Sequence, residues 1–102
     1  MSTKTKAVQL GQVVFTMGVS NVVYANKSFS DFLVHSLIRH TNHDWGDLCD
    51  DDKEVNELAL QEGSRLLSGY DIPPSIEIHH QKIWIITEWS REVTTILFPS
   101  EY

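Results

Sequence analysis

The chain has 102 residues, 41% of them hydrophobic and 22% charged, and a formal net charge of −6. That is room for one domain with its own core; the apolar content argues against disorder, and the lone cysteine, Cys49, excludes an internal disulfide. Eight of the fourteen acidic residues lie between Asp44 and Glu62, which weighs against nucleic acid as a partner, because phosphate contacts need clustered Lys and Arg.

Residues 1–8 are polar and are expected to form a disordered tail ahead of a single domain over 9–102. The start carries two lysines and no apolar stretch, so it does not read as a secretory signal. No apolar run approaches the ~20 residues that cross a bilayer. No membrane contact is expected, and the location expected is the cytoplasm.

Gln12–Met17 is β-branched and aromatic between two glycines and reads as a strand. Ser20 is a candidate cap for a short helix over Asn21–Ala25. Ser28 or Ser30 then starts a helix running to about His40, with Phe29, Phe32, Leu33 and Leu37 at helical spacing. Thr41–Gly46 reads as a polar loop. Asp50–Asp52 open a third helix whose apolar stripe is Val55, Leu58 and Ala59, and Gly63 stands where a left-handed C-terminal residue belongs. Arg65–Tyr70 reads as a strand, ended by Ile72-Pro73-Pro74. Ser75–His79 alternates and reads as a short strand or an arm.

The C-terminal segment from Lys82 to Tyr102 reads as a hairpin, Lys82–Trp89 against Glu92–Phe98, ended by Pro99. Ile83, Ile85, Thr87 and Trp89 share one side, while Trp84 and Ile86 share the other. Apolar residues on both sides predict a sheet shielded twice, by helices, by the Pro73–His79 arm or by a second subunit. A homodimer is therefore expected, and a chain closing on a core hairpin is expected to be a complete small domain. The element order predicts an α+β fold: a strand, two or three helices, then a C-terminal antiparallel sheet.

No complete catalytic, metal or phosphate motif is present. His40, Asp44, Trp45 and Asp47 sit in one polar loop whose spacing fits no standard zinc motif. The reading favoured there is a loop with Asp47 or Asp50 capping the next helix, so neither metal nor cofactor is expected. His79 and His80 are adjacent, so on a strand they face opposite ways. The stronger cluster is Arg65, Tyr70, Glu88, Arg91 and Thr95. Arg91 and Glu88 flank the hairpin turn, where they could bind an anion, move a proton or simply pair at the surface. Arg65 is either a clamp onto the loop around Asp44 and Asp47 or an anion site on the sheet. Cys49 beside three aspartates is a poor nucleophile.

Several segments resemble a group of small plasmid-related proteins carried by bacterial plasmids and integrative elements. These are Arg39-His40, Asp44-Trp45-Gly46-Asp47-Leu48, Asn56, Ala59-Leu60, Gly63, Arg65-Leu66, Ser68 and Tyr70. The tail matches best: Ile83-Trp84-Ile85-Ile86-Thr87-Glu88, Arg91, Thr94-Thr95, Pro99 and Glu101-Tyr102. The likeness spans roughly residues 9–102. It implies a bacterial, mobile-element origin and brings no activity with it. Trp89-Ser90 and the longer Asp71–Gln81 stretch depart from the pattern.

Two functions compete at this point. The first is a non-enzymatic interaction module with a protein partner, in an accessory or anti-defence role, which fits the acidic surface and the missing catalytic set. The alternative is a small ribonuclease, loosely like the RelE-type toxins, using Arg65, Lys82, Arg91, His79 and Tyr102 on the sheet. Net acidity counts against the latter.

Overall fold

The computed structural model describes residues 6–102. Four strands form one sheet in the order β1-β4-β3-β2: β1 (Gln12–Phe15), β2 (Leu66–Asp71), β3 (Lys82–Thr87) and β4 (Val93–Leu97). Ser68 lies opposite Ile85, and Ile85 opposite Ile96, in an antiparallel meander. β1 returns parallel to β4, with Val14 beside Thr95. The α+β expectation therefore holds, but the sheet is mixed. Its first strand is held by Gln12 and Thr16 N–H groups that donate to the carbonyls of Glu92 and Ile96.

Three helices separate β1 from β2: α1 (Met17–Ala25), α2 (Lys27–Thr41) and α3 (Asp50–Glu62). The caps are one residue outside each first turn, not the serines inside it. Thr16 Oγ1 accepts the Val19 N–H, and Asn26 Oδ1 accepts the Phe29 N–H at 3.0 Å. Asp50, Asp51 and Asp52 fill the first turn of α3, where the helix dipole favours them. Gly63 ends α3 at φ 74°. A single 3-10 turn, Pro99–Glu101, follows β4.

One side of the sheet carries the main core. Val19 of α1 and Phe29 and Leu33 of α2 pack on Tyr70, Ile83, Ile85, Ile96 and Phe98. Each such side chain contributes about 1.5–3 kcal/mol when fully buried. Residues 75–79 form no strand; Ile76 of this arm and Ile72 just ahead of it are buried and join the same cluster, and His80 stacks on Phe98. A satellite cluster joins Val8, Trp45 and Ala59 to Leu66.

The other side is shielded by its own long side chains. Ile86 and Leu97 are buried, and Leu67, Trp84, Val93 and Thr95 are half-buried. Tyr102 meets Trp84 edge-on, and the Arg65 guanidinium lies over the Tyr102 ring. Leu48 closes on Gly69, so that a Cβ added there would stand 3.0 Å from it. The hairpin is thus apolar front and back as expected, but its second side has a cover within the chain. Trp89 extends neither side: the strand stops at Thr87, and Trp89 stands exposed in the turn.

Of the tail expected over 1–8, residues 1–5 lie outside the described residues. Val8 belongs to the core side: it is buried, and its N–H donates to the Thr41 carbonyl at 3.0 Å.

Candidate functional site

The first polar cluster is a relay sealed inside the core. Ser68, His40, Thr87 and Thr94 are all fully buried. His40 Nδ1 meets Ser68 Oγ, His40 Nε2 meets Thr87 Oγ1 at 2.9 Å, and Thr87 Oγ1 meets Thr94 Oγ1 at 2.8 Å. Thr94 Oγ1 donates to the Leu10 carbonyl at 2.8 Å. That last acceptor fixes the protons as far as the imidazole. Thr94 has spent its hydrogen, so Thr87 donates to Thr94 and His40 Nε2–H donates to Thr87. Burial disfavours the charged ring, which leaves Nδ1 bare to accept from Ser68. Desolvation lowers the imidazole pKa from 6.5 to about 4, with the nearby charges of Arg91 and His43 adding to the effect. A serine on a histidine resembles a nucleophile and its base, but here the pair is closed off from solvent and tethers β2, α2, β3, β4 and the segment before β1.

The predicted polar loop divides between four jobs. His40 is the core residue above. The Asp44 carboxylate takes Arg39 in a two-pronged pair at 2.7 and 3.2 Å and also accepts the Gly46 N–H. The Arg39 hydrogen bond is the main cause of its lowered pKa. Arg39 therefore fills the clamp role considered for Arg65, and it also lies over the Tyr70 ring. Trp45 donates to Glu57 Oε2 at 2.7 Å. Asp47 caps no helix; its carboxylate accepts the Asp71 N–H at 2.9 Å, and Cys49 takes the N-cap position of α3 without a side-chain bond. Among the described residues no three His, Cys, Asp or Glu side chains are grouped to hold a metal.

The second predicted cluster disperses. Tyr70 is buried, donates to the Asp44 carbonyl at 2.7 Å, and has its phenol pKa pushed up by burial. Thr95 faces the second side of the sheet between Val14 and Ile86. Arg65 is on that side too, lining a hollow with Trp84, Leu67 and Val55. Arg91 lines a different hollow on the side of Val8 and Leu60. Arg65 and Tyr102 come together, but Lys82 begins the far end of β3 and His79 is exposed on the arm. The parts named for a ribonuclease do not converge on one cleft.

The Arg91 hollow has a cavity volume of about 490 Å³ and is walled by Lys6–Gln9, His43, Glu57, Leu60, Gln61 and Arg91. Arg91 Nη1 donates to the carbonyls of Ser64 at 2.7 Å and Glu88 at 3.1 Å. Among the described residues it pairs with no carboxylate, and neither does Lys6. Among the described residues, His43 and Arg91 are the two non-glycine residues with positive φ, 65° and 62°. The left-handed region costs a residue with a Cβ roughly 1–2 kcal/mol, and both strained residues line this one cleft. His43 is stacked on Trp45, with ring centroids 5.7 Å apart. Nothing in the sequence joins Lys6, His43 and Arg91; the register of β4 and the turn after α2 do.

The last candidate is a strand edge. Because Gln12 and Thr16 N–H groups point into β4, alternation turns the N–H and C=O of Val13 and Phe15 outward. The side chains of Val13 and Phe15 border a shallow apolar groove with Leu33, Val34, Leu37 and Ile96. Phe15 is 43% exposed, Val34 56% and Ile38 53%. The sequence signal for this edge was the uncharged Gln12–Met17 run, read as a strand without a place in the sheet.

No helix among the described residues is long and apolar enough to cross a membrane. In comparison with known proteins, the chain matches no family model, no curated relative and no solved structure.

Proposed function

We propose that the chain is a non-catalytic protein-interaction domain, cytoplasmic and carried by a mobile element, which works by strand addition at β1 and forms a homodimer there. The mobile-element part rests on the resemblance of the Asp44–Leu48 and Ile83–Tyr102 segments. The observation that carries the interaction is the open β1 edge: outward backbone groups at Val13 and Phe15 beside an apolar, uncharged groove. An unpaired edge of this kind templates another strand.

A two-fold contact must be self-complementary. In a chain of net charge −6, like-charged faces repel, whereas an uncharged strip meets its own copy without that penalty. Antiparallel pairing about Val14 places Val13 opposite Phe15 of a second copy, and each such pair exchanges both backbone bonds. The neighbouring Val34 and Ile38 of α2 then face the same seam.

The test is sedimentation velocity with light scattering on the wild type and on Val13→Pro and Phe15→Lys. The wild type is expected to be a dimer and both variants monomers, with stability changed by less than ~1 kcal/mol, since both positions stand at an exposed edge. A wild type that is monomeric at all concentrations ends the homodimer; a variant that stays dimeric moves the interface elsewhere.

A further inference from the structure

We propose that the cleft between Lys6–Gln9, His43, Glu57 and Arg91 is a binding site for a small hydroxylated organic phosphate. The inference is separate from strand addition at β1, which lies at another part of the molecule.

Three features point to an oxyanion. Arg91 is fixed by two backbone carbonyls acting on Nη1 alone, which leaves Nη2 and Nε without a partner among the described residues. A guanidinium held this way keeps its full charge and presents a ready fork to a phosphate. Lys6 stands in the same wall, with the His43 ring beside it, so two basic side chains, Lys6 and Arg91, converge on one hollow of a chain with net charge −6. The backbone of Arg91 is held in the left-handed region at φ 62°, an uncommon state for an arginine and of the kind that clusters at ligand sites.

Two further features shape the body of the ligand. The volume of about 490 Å³ is far larger than a bare ion needs, and Val8 and Leu60 give the wall an apolar part. Among the described residues Glu57 is the one carboxylate lining the cleft, and Trp45 Nε1 donates to its Oε2. Its second oxygen repels an anion but accepts from a hydroxyl. A phosphate at Arg91 and Lys6 with a hydroxyl at Glu57 satisfies both ends.

The experiment is amide-resonance mapping by NMR on the full chain, titrated with ribose 5-phosphate, inorganic phosphate and neutral ribose. Saturable shifts are expected with the two phosphates, strongest with ribose 5-phosphate, at Lys6–Gln9, His43 and Arg91. Arg91→Asn tolerates the backbone geometry and should weaken binding at least about tenfold, the loss of a charge-assisted hydrogen bond. Arg65→Gln removes the same net charge outside the cleft and should leave affinity unchanged. Glu57→Gln should tighten inorganic phosphate about threefold while reducing the preference for ribose 5-phosphate. Lys6→Gln, at an exposed position, repeats the Arg91 test without risk to the fold. Absence of saturable shifts, shifts mapping to other residues, or equal losses in Arg65→Gln and Arg91→Asn would overturn the proposal.

Discussion

The two edges of the sheet are treated in opposite ways. The outward backbone groups of Leu67 and Gly69 and the N–H of Asp71 on β2 are all occupied. The Asn56 amide donates to the Leu67 carbonyl at 2.6 Å and accepts the Leu67 N–H at 3.1 Å. Gly69 exchanges bonds with Trp45 and Asp47, and Asp71 N–H reaches the Asp47 carboxylate. The approach is so close that a Cβ on Gly46, itself at φ 81°, would stand 2.0 Å from the Gly69 carbonyl. At β1 the outward groups of Val13 and Phe15 meet no such cover. Native sheets blunt an edge that must stay single; here one edge is blunted and the other left with apolar flanks, which is the basis of the strand-addition proposal.

The largest effect should come from unsealing β2. Asn56 is buried, so Asn56→Leu strands two backbone groups and should cost about 3 kcal/mol, read by urea denaturation. A loss below about 1 kcal/mol would mean the edge is closed by something other than Asn56.

Acid should come next, and it should act on the open side first. Folded His40 resists protonation down to about pH 4, while the unfolded chain takes up that proton near 6.5. Stability is therefore full above pH 6.5 and declines through that window as pH falls, by on the order of 3 kcal/mol in all. His40→Gln should flatten that slope. The relay ends on Leu10, just ahead of β1. Amide exchange at Gln12 and Thr16 should accordingly quicken before exchange at Leu67 and Gly69; simultaneous loss would show that the two edges open as one unit.

The smallest effect concerns the far end of β1. Burial pushes the Glu101 carboxyl up, but hydrogen bonds from Thr16, Phe98 and Gly18 more than offset this and leave its pKa lowered. Glu101→Gln should cost less than ~1 kcal/mol because the site is exposed. A melting temperature unchanged from wild type would show that Thr16 alone sets the start of α1.

Much of the secondary structure was legible. Alternation in Lys82–Leu97 gave the hairpin, and helical spacing gave Phe29 and Leu33 their place against the sheet. Gly63 marked the end of α3 because an αL residue without a Cβ is the relaxed stop. The site was much less legible. Arg65, Tyr70, Glu88, Arg91 and Thr95 look alike as polar residues near strands, yet Arg65 and Arg91 line different hollows and Tyr70 is buried. Strand parity predicts which residues share a side, not which side a long side chain bends around.

Local pattern alone determined the α+β class, the hairpin and its two apolar sides, because periodicity is written residue by residue. The parallel seat of β1, the sealing of β2 by Asn56 and Asp47, and the meeting of Lys6, His43 and Arg91 were decided only in three dimensions. Each joins residues far apart in the chain, through bonds whose geometry exists only once the sheet has closed.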